Sequence, residues 1–272
     1  MSHANNTGAQ LPPRDGGVEP SGAPARSTPA GAPSRCDDPS AAGGAASQLL
    51  PQAADFVSNV SQLRITEIFY SLQGETSRVG LPTVFVRLTG CPLRCTYCDT
   101  AYAFTGGQNM SVADILRQVA EYAPRYVTVT GGEPLAQKNC LPLLRELCDA
   151  GYEVSLETGG ALDISAVDAR VMRVLDIKTP ASGEVTKNRW ENLELLTAHD
   201  EIKFVLCDEK DYHWATQIIR QHHLAEKCPI LFSPAHGTLD ATQLADWVLR
   251  DRLPVRLQVQ LHKLLWNSAP GH

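Results

Sequence analysis

Short apolar runs that read as strands alternate with helical patterns along most of the chain, and this alternation constrains the fold more than any other feature. The strand runs fall at Leu63 to Phe69, Thr83 to Leu88, Tyr126 to Thr130, Tyr152 to Leu156, Val171 to Ile177, Ile202 to Leu206, Ile230 to Phe232 and Val255 to Leu261. Helical spacing separates several of them, at Val112 to Val119, Leu141 to Ala150, Tyr212 to His223 and Ala241 to Leu249. Ser111 is placed as the N-cap of the first helix, with Asp114 three residues later. Strands and helices in this order predict an α/β fold built on a parallel sheet. A closed and a partly open barrel both satisfy the pattern. In either, chemistry gathers where strands end and loops begin.

The chain has 272 residues and 43% hydrophobic content, enough for one globular domain with a sizeable core. Residues 1–55 are dominated by Ala, Gly, Pro and Ser and contain no aromatic residue and no isoleucine, so a disordered low-complexity extension is expected there. Asp15, Glu19, Asp37 and Asp38 make it unlike an acid-poor transit peptide. Order is expected from near Val57, with the catalytic domain over residues 56–272. A formal net charge of -6 argues against nucleic acid and for a small-molecule substrate. No apolar run approaches the roughly 20 residues that span a bilayer, and no secretory signal opens the chain. A cytoplasmic protein is expected.

Of 8 cysteines, Cys36, Cys140, Cys148, Cys207 and Cys228 are scattered and read as ordinary thiols. Cys91, Cys95 and Cys98 instead crowd one short loop, directly after the strand that ends at Thr89-Gly90. Three thiolates at this spacing suit three corners of an iron-sulfur cubane whose fourth iron has no protein ligand. A structural zinc wants a fourth ligand, and the nearest downstream histidine, His199, is far away. Spacing alone favours the cluster while leaving zinc and a redox dithiol open.

Cys91-x3-Cys95-x-Tyr97-Cys98 resembles the signature of the radical S-adenosylmethionine superfamily, and Thr130-Gly131-Gly132-Glu133-Pro134 resembles its glycine-rich segment. The resemblance implies a partial (β/α)6-type TIM barrel, a 4Fe-4S cluster on the three cysteines and S-adenosylmethionine, cleaved to a 5′-deoxyadenosyl radical. It also implies cofactor contacts from Tyr97, Cys98, Asp99 and Gly132, then Glu157, Thr179, Pro180 and Ala181, and finally Ser233, Pro234, Ala235 and His236.

Within that superfamily the chain from about Leu63 onward resembles the 7-carboxy-7-deazaguanine synthases. The motifs that carry this are Leu72-Gln73-Gly74-Glu75, Arg87 four residues before Cys91, Cys98-Asp99-Thr100, and Gln260-Leu261-His262-Lys263. Ring contraction of 6-carboxy-5,6,7,8-tetrahydropterin with loss of ammonia is the implied reaction, in queuosine (7-deazapurine) biosynthesis. Leu72, Gln73, Gly74 and Thr130 would hold the pterin, Arg87 its carboxylate, and Thr100 a Mg2+ ion. Residues after Lys263 are expected to reach the substrate. No general acid or base is assigned. A flavodoxin-type electron donor and a homodimer are implied partners. The runner-up is a glycyl-radical enzyme activase, which shares the cysteine spacing, and a non-catalytic zinc or iron-sulfur module is a third reading.

Overall fold

The computed structural model describes residues 62–267 and 271. The extension expected over residues 1–55, and the onset of order expected near Val57, lie outside the described residues. Among the described residues the strands form one sheet in the order β3-β1-β2-β4-β5-β6-β7-β8-β9. Their ranges are β1 Gln62–Leu72, β2 Pro82–Leu88, β3 Gln108–Ser111, β4 Tyr126–Gly131, β5 Glu153–Thr158, β6 Met172–Asp176, β7 Glu201–Leu206, β8 Ile230–Pro234 and β9 Arg256–Leu257. β1 pairs antiparallel with both β2 and β3, and every pairing from β2 to β9 is parallel. This is the open, mostly parallel α/β arrangement expected.

Helices α1 (Val112–Glu121), α2 (Cys140–Asp149), α3 (Glu209–Gln221), α4 (Leu224–Lys227) and α5 (Ala241–Asp251) cover the outer face. Ser111 caps α1 as expected, its hydroxyl accepting from the Asp114 amide at 3.1 Å. Ile115 and Val119 of α1, Leu143, Leu144 and Leu147 of α2, and Tyr212, Ala215 and Ile219 of α3 pack into one core. The connections from β5 to β6 and from β6 to β7 contain no α-helix. Buried Ile164, Val167, Leu193 and Leu196 supply there the apolar cover that a helical stripe gives elsewhere.

The parallel strands alternate with period two, and their inner face carries charged and polar side chains among the apolar Phe85, Val174 and Val205. Val84, Val86 and Leu88 of β2, Val127 and Val129 of β4, Val154 and Leu156 of β5, and Ile202, Phe204 and Leu206 of β7 enter the core under the helices. The intervening Arg87, Thr130, Glu157 and Lys203 line the cavity on the other face.

Two departures from expectation shape that chamber. β3, the mostly polar segment Gln108–Ser111, extends the sheet beyond β1 through backbone pairing and the packing of Met110 against the core. The strand expected over Val255 to Leu261 is cut to Arg256–Leu257, and Leu261–Trp266 forms a short helix, α6. β9 is an edge strand with one neighbour, so little holds the chain in the sheet. After the Gln258 amide donates to the Phe232 carbonyl at 3.0 Å, the chain turns toward the chamber.

The loop from Gln73 to Leu81 crosses beneath the parallel strands. Gln73 Nε2 donates to Thr128 Oγ1 at 3.2 Å in β4, and the Ser77 amide donates to Glu201 Oε1 at 2.9 Å, at the first residue of β7. It closes the floor of the open sheet.

Candidate active site

The cysteine loop leaves β2 and is fastened to β4 at once. The Gly132 amide donates to the Leu88 carbonyl at 3.2 Å, and the Glu133 amide to the Gly90 carbonyl at 2.8 Å. A Cβ on Gly131, whose φ is +152°, would lie 2.2 Å from the Leu88 carbonyl oxygen, and one on Gly132 would lie 2.3 Å from the Gly90 oxygen and 2.7 Å from Cys91 Cβ. The Gly-Gly pair therefore serves close approach of two loops. A second tether runs to the loop after β6, where Thr96 N donates to the Ser182 carbonyl at 3.0 Å and Thr96 Oγ1 to the Ala181 carbonyl at 2.7 Å.

Cys91, Cys95 and Cys98 are all unbonded and partly exposed. Burial pushes the Cys91 and Cys95 thiols up, so thiolates there need compensating positive charge, as iron supplies. Among the described residues no three His, Cys, Asp or Glu side chains converge so as to hold a single metal ion; in a cubane each thiolate takes a different iron.

Below this loop lies a cavity of about 750 Å³. From the expected substrate set, Leu72, Gln73, Gly74, Arg87 and Thr130 line it. From the expected cofactor set, Tyr97, Cys98, Asp99, Gly132 and Glu157 do, as do Ser233, Pro234, Ala235 and His236. Cys95, Thr100 and the tail residue Gly271 also reach it. Cys91, Thr179, Pro180 and Ala181 are not part of its lining. Thr179 Oγ1 instead donates to Asp211 Oδ2 at 2.9 Å, and the Ala181 amide donates to Asp211 Oδ1 at 3.0 Å, so this segment is anchored to α3.

Sequence reading missed several lining residues. Arg87 Nε donates to Glu67 Oε1 at 2.7 Å, and the Tyr102 hydroxyl donates to the same oxygen at 2.8 Å. A register shift between Ile65 and Glu67 sets Glu67 directly opposite Arg87. The guanidinium also lies 5.7 Å from the Phe69 ring centre and 5.9 Å from that of Tyr102. Across the chamber Lys203 Nζ meets Glu75 Oε2 at 2.7 Å and Asp176 Oδ2 at 3.9 Å, and Lys178 Nζ meets Asp176 Oδ2 at 3.0 Å. A lone lysine in the apolar run Glu-Ile-Lys-Phe-Val-Leu was the available signal for Lys203, because its parity opposes Ile202 and Phe204.

Burial alone would raise the Glu75 carboxyl, but Lys203 overrides it and holds Glu75 below the usual range. Burial likewise opposes the charge on Lys203, which Glu75, Asp176 and Glu157 restore. Glu157 is different: burial pushes it up, with Lys203 only partly offsetting, and its hydrogen bonds come from Gln73 Nε2 at 3.4 Å and Thr130 Oγ1 at 3.2 Å. Glu133 is also raised by burial, although it accepts from the Gly159 amide at 2.7 Å and the Thr158 hydroxyl at 2.9 Å.

Three residues on the wall carry a buried polar atom with no hydrogen-bond partner: Tyr97 Oη, Asp176 Oδ1 and Ser233 Oγ. Orphaned buried groups are costly and rare. Their grouping here fits a chamber built to receive a polar cofactor and substrate.

His262 closes the chamber beside Gly74, and burial pushes its pKa down. A Cβ on Gly74 would lie 2.7 Å from His262 Nδ1 and 3.5 Å from its backbone nitrogen. Gly74→Ala is expected to cost about 1–3 kcal/mol of stability through overpacking. Urea denaturation checks this, and His262→Ala in the same background is expected to remove most of the cost.

A thiol-bearing loop after the first parallel strand, above a polar chamber in an open α/β sheet, is the layout of radical S-adenosylmethionine enzymes, and the Radical SAM superfamily model matches residues 85–176. The 7-carboxy-7-deazaguanine synthase of Chlorobaculum tepidum is 47% identical over 214 residues, covering 78% of this chain and 97% of that protein. That of Koribacter versatilis is 47% identical over 220 residues, covering 75% and 97%. The chain belongs to the 7-carboxy-7-deazaguanine synthase family. In fold it is similar to the crystal structure of QueE from Escherichia coli, with a TM-score of 0.62 at 23% identity, covering 74% of this chain and 95% of that one. Family membership sets aside the activase and the non-catalytic module.

Proposed function

We propose that the chain converts 6-carboxy-5,6,7,8-tetrahydropterin to 7-carboxy-7-deazaguanine with release of ammonia. The observation that carries this reading is the convergence of Arg87, Gln73, Thr130 and Glu157 on the wall of one cavity that Cys95 and Cys98 also line. Cys91, Cys95 and Cys98 would hold a 4Fe-4S cluster, and Gly132, Tyr97, Asp99 and the Ser233 to His236 segment would hold S-adenosylmethionine. The chemistry a bound cluster and S-adenosylmethionine supply is reductive cleavage of the sulfonium and, from it, abstraction of a hydrogen atom from substrate C6.

The chain's own residues bind and orient. Arg87 keeps its Nε on Glu67 and offers its terminal nitrogens to the substrate carboxylate in a two-point grip. Among the described residues no cation lies within ion-pair distance of Glu157, which accepts from neutral donors, an arrangement that suits the amino and ring N–H edge of a pterin. It is therefore grouped with the substrate contacts instead of the cofactor contacts. Thr100 Oγ1 donates its proton to Asp99 Oδ1 at 2.9 Å, and its oxygen would remain free to hold a Mg2+ ion. Gln73, which lines the cavity and is held from behind by Thr128 and through it Ser155, would set the depth at which the ring rests.

A flavodoxin-type electron donor, a homodimer and a cytoplasmic location complete the proposal, all three from the family resemblance. No helix of the described residues is long and apolar enough to cross a membrane.

The test is an oxygen-free incubation of reconstituted protein with reductant, S-adenosylmethionine, Mg2+ and the carboxylated pterin, followed by mass analysis. The expected product has the mass of 7-carboxy-7-deazaguanine and forms only with all components. Cleavage of S-adenosylmethionine with the pterin returned intact would refute the substrate assignment.

A further inference from the structure

The segment from Gln258 to Lys263 lies across the chamber and is held almost entirely by polar contacts. Its helix α6 has no buried residue, and Leu264 and Leu265 on it are 67% and 52% exposed. Leu264 and Leu265 therefore do not anchor it. What holds it is a set of hydrogen bonds to two loops distant in sequence. Gln258 Oε1 accepts from the Thr76 amide at 2.8 Å, the Leu261 amide donates to the Gly74 carbonyl at 3.1 Å, and Gln260 Nε2 donates to Glu75 Oε1 at 2.8 Å. Besides the Gln258 amide bond to the Phe232 carbonyl, two more bonds go to Asp99, where Oδ2 accepts from Gln260 Nε2 at 3.1 Å and from Lys263 Nζ at 2.8 Å.

Asp99 stands between Cys98 and Thr100, and its other oxygen accepts from the Thr100 hydroxyl at 2.9 Å. One carboxylate thus joins the end of the cysteine loop to the C-terminal segment. The Lys263 side chain is only 8% exposed while that of Asp99 is 45% exposed, so water reaches the carboxylate but hardly the ammonium. Holding a mostly buried ammonium on a single carboxylate restricts both partners, because release leaves the charge unpaired.

We propose that Lys263 and Gln260 are positioning residues that fix the cysteine loop through Asp99, so that the C-terminal segment and the loop order together. The inference rests on the reading of Cys98 as a cluster ligand for its effect on iron, while its effect on the thiol stands without iron. Lys263 acts at one remove from Cys98, and the loop in turn helps to hold the C-terminal segment.

The test uses the full chain in three measurements. In the reduced, iron-free protein, iodoacetamide labelling of Cys98 is followed by mass mapping, with buried Cys140 as the internal control for global opening. Lys263→Met is expected to speed Cys98 labelling about tenfold, the factor that corresponds to losing one charge-assisted hydrogen bond, with Lys263→Arg restoring slow labelling. In reconstituted protein, iron release to a chelator should quicken by a similar factor in Lys263→Met. Reciprocally, Asp99→Asn should speed amide hydrogen exchange over residues 261–266, on the other side of the latch. A folded Lys263→Met protein with unchanged Cys98 labelling and unchanged iron release overturns the proposal. A full cluster in Cys98→Ala would instead remove the ligand reading, and the labelling experiment would still decide the latch.

Discussion

Cys95→Ala is expected to abolish cluster assembly and turnover together while leaving the fold in place. Cys95 sits in a loop whose shape is set by main-chain bonds: its carbonyl accepts from the Cys98 amide at 3.2 Å, and neighbouring Thr96 is tied to Ser182. Alanine keeps all of these. The lost thiol is small and partly exposed, so the unfolding free energy should change by less than about 1 kcal/mol. Iron content, visible absorption and reductive cleavage of S-adenosylmethionine should all fall to background, because two thiolates leave the cubane without its third anchor. Cys148→Ser, a change at a partly exposed cysteine outside the loop, should keep its iron and serves as the control. A Cys95→Ala protein that turns over at the parental rate would remove the iron-sulfur assignment.

Arg87→Ala is expected to weaken binding of the carboxylated pterin by roughly 2–5 kcal/mol, the range for removing one partner of a buried charged pair. At about 1.4 kcal/mol per tenfold, that is on the order of 30- to several-thousand-fold in affinity. Part of the loss comes from the protein itself, since Glu67 and Tyr102 are arranged around the guanidinium and Glu67 is left without its cation. Arg87→Lys should recover only a fraction, because an ammonium cannot bond Glu67 and grip a carboxylate in two places at once. Cleavage of S-adenosylmethionine uncoupled from product should persist in both variants, since Arg87 does not belong to the cysteine loop. Calorimetric titration with the pterin and with an analogue lacking the carboxylate separates the contributions. Equal affinity of parent and Arg87→Ala for the carboxylated ligand would end the proposed role.

Much of the sheet was legible because strand and helix periods are local. The runs at Thr83, Tyr126, Ile202 and Ile230 became β2, β4, β7 and β8 within a residue or two. The stretch from Val255 to Leu261 reads as a strand by the same rule, and failed because pairing at a sheet edge depends on a neighbour that composition does not reveal. Gln73, Thr130 and Arg87 were found through motifs. Glu67, Tyr102, Asp176 and Lys203 carry no motif, and each is ordinary in its own segment.

The three cysteines and the paired glycines are local: spacing brings the thiols onto one loop, and the resemblance these two motifs carry, not the spacing alone, gave the kind of chemistry. Which polar side chains share a chamber was settled only by folding. Glu67 faces Arg87 through a register shift, Lys203 meets Glu75 across 128 positions, and Lys263 meets Asp99 across 164. Such contacts depend on strand order and on how loops cross the sheet, and these are decided by the packing of the whole core, which no local period encodes.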